Sequence, residues 1–339
     1  MKILVTGGLG YIGSHTVTEL YKTGHTVVII DNLSNSERSV LNALEQLCGT
    51  TIPFYEADIT DTAALRKVFE SESDIEGIIH FAAKKSVNES LQIPVVYYEN
   101  NISGLINVMR LIEEFRIPYF VFSSSCTVYG EPESVPVTES TPTTRSVTPY
   151  GNSKLWAEGM IEEFTRLTSG LKSVILRYFN PVGAHDSARI GELPRGVPGN
   201  LMPFITQTAA GWRDELLIFG KDYDTPDGTC IRDFIHVSDL ARAHVDSLNY
   251  AKSNDFDTEI FNVGTGNGQS VDEVVNSFEK TSGIKLNHRY ADRRPGDIMQ
   301  IWADTTKVNT VLGWKAEYSL DDMTRSAWEW QKKLGKTKA

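Results

Sequence analysis

The stretch Thr148-Pro149-Tyr150-Gly151-Asn152-Ser153-Lys154 carries the residue types and spacing with the clearest chemical meaning. A tyrosine and a lysine four residues apart on a helix share one face, one turn apart. Pro149 suits the start of such a helix, where its missing N–H costs nothing. An ammonium beside a phenol favours the phenolate and lowers a pKa that is ordinarily about 10. A depression of ~3 units corresponds to roughly 4 kcal/mol and would make Tyr150 a usable base near neutrality. Taken alone, a Tyr/Lys pair is more often a surface feature. The rest of the chain decides what it means.

The elements that must position this pair begin at the N-terminus. Lys2 to Thr6 reads as a buried parallel strand, followed at once by a turn rich in glycine: Gly7, Gly8, Gly10 and Gly13, with Tyr11 and Ile12 inside it. A helix follows with Val17, Leu20 and Tyr21 at helical spacing, ending at Gly24, and then an apolar strand from Thr26 to Ile30 closes on Asp31. Glycines at the first strand–helix turn of a βαβ unit, with an acid at the end of the next strand, form a dinucleotide-binding pattern. The glycines let a pyrophosphate approach the helix N-terminus, where free N–H groups and the dipole hold an anion. Asp31 would bind the adenosine ribose hydroxyls and repel a 2′-phosphate, favouring NAD over NADP.

The alternation continues. Pro53 to Glu56 reads as a short strand leading to Asp58 and Ile59, where side chain and backbone can meet an adenine. Gly77 to Ala83 reads as the fourth strand, its Phe81-Ala82-Ala83 end small enough to let a cofactor lie close, with Lys84 and Lys85 in the following loop. Asn100 to Glu114 reads as a helix with a wide apolar face. Tyr119 to Ser123 is the fifth strand, leading into hydroxyls at Ser124, Ser125 and Thr127, and Ser173 to Phe179 is the sixth. A doubly wound parallel α/β sheet of the Rossmann type presents its active site at these strand C-termini. Arg232 and Arg294 lie in segments that read as loops, and guanidinium forks suit a pyrophosphate. Surface ion pairing is the competing reading for them, with Asp233 and Asp297 as partners.

Composition narrows the function classes. A chain of 339 residues exceeds the usual size of one core, so two lobes are expected. A formal net charge of −11 argues against a nucleic-acid partner or an anionic membrane surface. The three cysteines are scattered, without a C-x-x-C, and read as buried thiols of a reducing compartment. The seven histidines show no ligand spacing, so no metal is expected. With no apolar run of spanning length and a strand directly at the start, the expected location is the cytoplasm.

The glycine pattern, Tyr150 with Lys154, and Phe122 to Ser125 together resemble the extended short-chain dehydrogenase/reductase family. Leu176 to His185, Asn200 to Pro203, Asp227 to Val237 and Trp302 to Asp304 narrow the resemblance to its UDP-glucose (UDP-galactose) 4-epimerases, over nearly the whole chain. The resemblance implies that Tyr150 is the acid/base, that Lys154 lowers its pKa and binds the nicotinamide ribose, and that Ser125 hydrogen-bonds the sugar. It implies NAD contacts from Gly7, Gly10, Tyr11, Ile12, Gly13, Asp31, Asn32, Leu33, Ser34, Asn35, Ser36, Asp58, Ile59, Phe81, Ala82, Ala83, Lys84, Lys85, Asn100 and Phe179, besides Ser125, Tyr150 and Lys154. Lys85, Ser125, Tyr150, Asn180, Asn200, Leu201, Leu217, Ile218, Phe219 and Ile301 would meet the UDP-sugar. Arg232 and Arg294 would grip its diphosphate and Asp297 its ribose.

In that family, proton removal from the sugar 4-hydroxyl accompanies hydride transfer from C4 to NAD. The 4-keto sugar, held by its UDP end, then turns over and receives the hydride back, so the reacting atoms must reach roughly 3–3.5 Å from both ring faces. UDP-glucose and UDP-galactose are the expected ligands and a homodimer the expected assembly, through helices 100–114 and 153–167. The family's NAD-binding Rossmann domain would be residues 1–180 and its UDP-sugar domain 181–339, with about 237–263 returning to the first. At Ile301 relatives carry a bulky tyrosine, which excludes N-acetylated sugars, or a small residue, which admits them; isoleucine is intermediate. A nucleotide-sugar 4,6-dehydratase is the nearest alternative, but the acidic pair it needs after the catalytic serine/threonine is here Cys126-Thr127. A non-catalytic NAD-binding regulator is the other alternative; such relatives usually lack the Tyr/Lys pair.

Overall fold

The computed structural model describes residues 1–72, 74–294 and 296–335. Its strands are β1 (Lys2–Thr6), β2 (Thr26–Asp31), β3 (Phe54–Glu56), β4 (Gly77–His80), β5 (Tyr119–Ser123), β6 (Lys172–Tyr178), β7 (Asn180–Val182), β8 (Leu216–Phe219), β9 (Ile231–His236), β10 (Thr258–Val263), β11 (Gly268–Ser270), β12 (His288–Ala291) and β13 (Gln300–Ile301). Its α-helices are α1 (Tyr11–Lys22), α2 (Ser39–Cys48), α3 (Thr62–Ser71), α4 (Val87–Gln92), α5 (Pro94–Tyr98), α6 (Gly104–Phe115), α7 (Pro149–Leu167), α8 (Leu201–Ala209), α9 (Val237–Ser253), α10 (Val271–Ser282) and α11 (Leu320–Leu334).

Among the described residues, seven strands form one sheet in the order β10-β6-β5-β4-β1-β2-β3. Every neighbouring pair in it is parallel. Side chains alternate across it: Ile3, Val5 and Ile29 pack into a core shared with α1, α2 and α9, while Leu4, Val28 and Ile30 pack into one shared with α3, α6 and α7. Burial on both faces is why these strands read as continuous apolar runs. The order reverses between β4 and β1, which opens a crevice at their C-terminal ends. The segment after residue 236 comes back to this sheet, with α9 on one face and β10 paired to β6 from Thr258↔Ser173 to Val263↔Tyr178.

The smaller sheets lie beyond. β9 pairs with β7, β11 and β13, and β8 pairs with β12. They share a core containing Met202, Ile205, Ile218, Phe234, Phe278 and Met323 with α8, α10 and α11. The last two helices start with reciprocal caps, Ser270 with Glu273 and Ser319 with Asp322, which satisfy two otherwise orphaned N–H groups each. No helix among the described residues is long and apolar enough to cross a membrane.

Three elements depart from the sequence reading. β4 stops at His80, so Phe81 to Ala83 are loop. Its partner β1 has already turned at Gly7, and the loop docks there instead, with the Phe81 N–H on the Thr6 carbonyl at 3.0 Å. The helix expected from Asn100 opens with a wider π-type turn over Glu99–Ser103, following directly on α5. Arg232 lies on β9 rather than in a loop; the buried Asp233 beside it interrupts the apolar pattern of that strand.

Candidate active site

α7 delivers the Tyr150/Lys154 pair. Pro149 occupies the first turn, and the Thr148 hydroxyl accepts the Gly151 N–H at 3.2 Å, so the helix starts one residue before the tyrosine. Tyr150 and Lys154 are both buried. Lys154 Nζ donates to the Ser123 carbonyl at 2.6 Å and lies 4.8 Å from the centre of the Phe122 ring. The pair is thereby docked on the C-terminal end of β5, where Ser123, Ser124 and Ser125 follow one another.

The electrostatics differ from the expectation drawn from spacing. Burial pushes the Tyr150 phenol above its ordinary range, Tyr178 adds to this, and the Ser125 hydroxyl opposes it. Burial also lowers Lys154 to about 8, against the opposing charge of Glu158. Desolvation disfavours the charged form of each group, which opposes the lowering expected from the spacing.

Glu158 lies one turn beyond Lys154 and is buried against Arg177 of β6, with 2.7 Å between Glu158 Oε2 and Arg177 Nη2. Glu158 also accepts the Ser124 hydroxyl, while Arg177 donates to the Tyr129 hydroxyl at 3.1 Å. This network fixes the serine turn from below. Asn101, in the π-type turn, donates to the Lys84 carbonyl and the Ser153 hydroxyl, both at 3.0 Å, and accepts the Lys84 N–H at 2.8 Å. It locks the loop after β4 to α7, and a π-type turn at such a site is a common functional device.

The crevice between β4 and β1 fits a dinucleotide. A Cβ on Gly7 would stand 2.9 Å from the Ala82 nitrogen, and one on Gly13 would stand 2.3 Å from the Gly7 carbonyl, so both positions require close backbone approach. α1 begins at Gly10 with neither a side-chain cap nor an acid in its first turn, leaving its N–H groups to an anion. Asp31 accepts the Leu9 N–H at 3.1 Å, the Leu33 N–H at 2.9 Å and the Ser36 hydroxyl at 2.7 Å. These bonds fix its direction and leave acceptor capacity for ribose hydroxyls. Leu33 takes a left-handed φ of 57° in this turn, and Ser34 and Asn35 are exposed at its tip.

Asn32 donates to Asp58 at 2.7 Å, tying the ends of β2 and β3 together. The Ile59 side chain belongs to the core under Gly104, so only its backbone faces outward chemistry. Ile12 and Phe81 pack on the core edge, and Tyr11 donates its hydroxyl to the Gly183 carbonyl at 2.7 Å. Asn100 donates to Asn101 at 3.0 Å.

The small sheets bring a second group over these strand ends. Asn180 of β7 pairs with Phe234, and Ile301 of β13 pairs with Arg232 across β9. Ile301 is buried in a cluster with Phe179, Val128 and Tyr129, and Cys126 packs at its edge. The Arg232 charge is felt at Cys126, which stands beside Ser125. Burial nevertheless pushes the Cys126 thiol up to about 12, so it is a packing residue. Asp233 is not an ion-pair partner of Arg232: its carboxylate accepts N–H groups of Thr265, Gly266 and Ala303 at 2.8, 3.0 and 3.2 Å.

Arg294 does pair with Asp297, by two hydrogen bonds of 2.7 and 3.1 Å, and lies 5.9 Å from the centre of the Phe219 ring. Leu217, Ile218 and Phe219 are on β8, with Ile218 in the core and Phe219 exposed. Asn200 stands immediately before α8, without a side-chain bond to its first turn, and donates to Glu192 at 2.6 Å; Lys85 reaches the same Glu192 oxygen at 3.4 Å. Glu158, Asn101 and Glu192 escaped the sequence reading. For Asn101 a signal was available: two consecutive asparagines inside an apolar helix have poor helix propensity and need another reason to be there.

The chain matches the family model described as GDP-mannose 4,6 dehydratase over residues 4–327. It is 47% identical over 331 residues to a UDP-glucose 4-epimerase of Bacillus subtilis (strain 168), covering 98% of this chain and 97% of that protein. Its fold is similar to a crystal structure of UDP-glucose-4-epimerase from Stenotrophomonas maltophila with bound NAD and formylated UDP-arabinopyranose, at TM-score 0.95, 45% identity and 98% coverage of each chain. A second, from Bifidobacterium longum in complex with NAD+ and UDP, gives 0.94 at 42% identity, again over 98% of each chain. Identity of this extent, over a shared fold and a buried Tyr/Lys pair at the C-terminal end of β5, places the chain in the UDP-glucose 4-epimerase family.

Proposed function

We propose that the chain interconverts UDP-galactose and UDP-glucose at the sugar C4, with Tyr150 as the proton-transferring group. The carrying observation is that Tyr150 and Lys154 are buried together at the end of β5, beside Ser125. Bound in the β4/β1 crevice, NAD supplies a hydride acceptor and donor for C4 and, when oxidised, a positive charge. Tyr150 takes the proton from the 4-hydroxyl and returns it on the opposite face. Ser125 holds the sugar oxygen during both transfers, and Lys154 supplies positive charge beside the phenol. Arg232 and Arg294 hold the diphosphate, Arg294 exchanging its Asp297 partner for phosphate oxygens and freeing that carboxylate for the uridine ribose. Firm UDP binding combined with weak sugar contacts lets the ring turn over.

The dehydratase reading is favoured by the description of the family model alone. That reaction needs a further acid and base, and Cys126 and Thr127 stand where its acidic pair would be. Incubation with UDP-galactose and no added cofactor, followed by chromatography, separates the readings. UDP-glucose is the expected product; a keto-deoxy sugar identifies a dehydratase, and unchanged substrate a regulator. UDP-GalNAc in the same assay reads the room that Ile301 leaves.

The reading extends to assembly, location and layout. Val87, Leu91, Val95, Val96, Ile106 and Trp156 are exposed on α4, α5, α6 and α7, which supports a homodimer with a second copy on that face. The free state of Cys48, Cys126 and Cys230 supports the cytoplasm. The lobes divide near Asn180, with α9 and β10 belonging to the first, as their packing on the large sheet supports.

A further inference from the structure

An enzyme that returns to its starting redox state each cycle gains nothing from releasing its cofactor. We infer that residues 183–200 form a strap that crosses the mouth of the β4/β1 crevice between Glu192 and Arg195 and retains NAD, fastened by those two side chains. Arg195 Nη2 donates to the Ser36 carbonyl at 2.6 Å and Nη1 to the Ser34 carbonyl at 3.2 Å. Both carbonyls belong to the loop after β2, on the adenosine side of the crevice. Three residues earlier, Glu192 accepts Lys85, from the loop after β4, at 3.4 Å. Because β2 and β4 flank β1 on opposite sides, the two fastenings straddle the crevice.

The segment leading into them is a built structure. Ala184 and Gly191 pair in antiparallel fashion, and the His185 N–H donates to the Ile190 carbonyl at 3.2 Å. Ile190 is buried in the core of the large sheet. Behind the strap, the Trp330 indole donates to the Glu192 carbonyl at 3.0 Å, and a Cβ on Gly191 would stand 2.5 Å from that ring. The strap thus has α11 as a rigid backing and the two rims of the crevice as its points of attachment. A dinucleotide lying along the crevice leaves only after one attachment opens. Arg195 bonds to backbone carbonyls; it is a positioning residue that holds the Ser34 to Ser36 turn closed.

This inference rests on the proposed NAD-dependent reading, and its test separates the two. Purified holoenzyme is mixed with excess isotopically labelled NAD, and exchange into the protein-bound pool is followed over time, beside an assay of UDP-galactose turnover. Arg195→Ala is expected to exchange about five- to tenfold faster than the unaltered chain, the loss of two hydrogen bonds from a charged donor at a partly exposed site. Arg195→Lys, which reaches one carbonyl but not both, is expected to fall between. Any turnover lost during dilution of Arg195→Ala should return on adding NAD. Exchange at the unaltered rate in Arg195→Ala, with turnover intact in the parent chain, overturns the strap alone. Absence of both bound NAD and turnover in the parent chain overturns the catalytic reading and the strap with it.

Discussion

The strand ends of the large sheet and the small sheets above them hold polar groups in opposite ways. Around β5 and β6 the polar side chains are buried and already tied to protein: Lys154 to the Ser123 carbonyl, Ser124 to Glu158, and Glu158 to Arg177. Around β8 and β12 the cations are exposed and hold exchangeable partners, as Arg294 holds Asp297 and Arg293 holds Asp222. The difference suits two tasks. Proton and hydride transfer need preorganised groups in a dry site. Gripping a soluble nucleotide needs charges that can trade a surface carboxylate for a phosphate, and exposed pairs are worth little enough to be traded.

Four changes test this contrast. Tyr150→Phe should retain NAD and lose about 10²–10⁴-fold in turnover, the range for a proton-transferring side chain; near-normal activity would refute the assignment. Glu158→Ala leaves Arg177 buried and unpaired, and thermal or denaturant unfolding should show a loss of about 3–5 kcal/mol. Arg294→Ala, in the other region, should leave the unfolding curve nearly unchanged while raising KM for UDP-galactose about tenfold, with kcat largely kept. An effect on stability rather than on KM would erase the distinction.

The smallest effect concerns pH. Lys154, lowered to about 8 by burial, is cationic below that pH and loses its charge above it. Turnover that depends on the ammonium should therefore fall as pH rises through about 8. Glu158→Gln removes the charge that holds the lysine up, so the descending limb should move to lower pH.

The same contrast governs what was legible before the structure. Strands buried on both faces read as apolar runs, so β1, β2, β5 and β6 and the turn from Gly7 to Gly13 are recognisable from local pattern. The end of β4 was not, because it depends on where β1 turns. Arg232 read as loop because Asp233 interrupts an otherwise apolar strand, and that aspartate is tolerated only through donors from Thr265, Gly266 and Ala303, more than thirty residues away. Glu158, Asn101 and Glu192 act through hydrogen bonds to residues distant in sequence, which leave no periodicity. The Tyr/Lys spacing was visible, yet its electrostatics were not, because spacing carries no information about burial.

The central claim is that one closed site removes a hydride from C4 and returns it to the same carbon while Tyr150 handles the proton. UDP-galactose carrying deuterium at C4 tests it most directly, with the product analysed by mass spectrometry and NMR after turnover in ordinary water. The account predicts UDP-glucose that keeps essentially all of the deuterium at C4. Loss of the label to solvent would contradict it, because epimerisation would then proceed by exchange of a C4 proton with water.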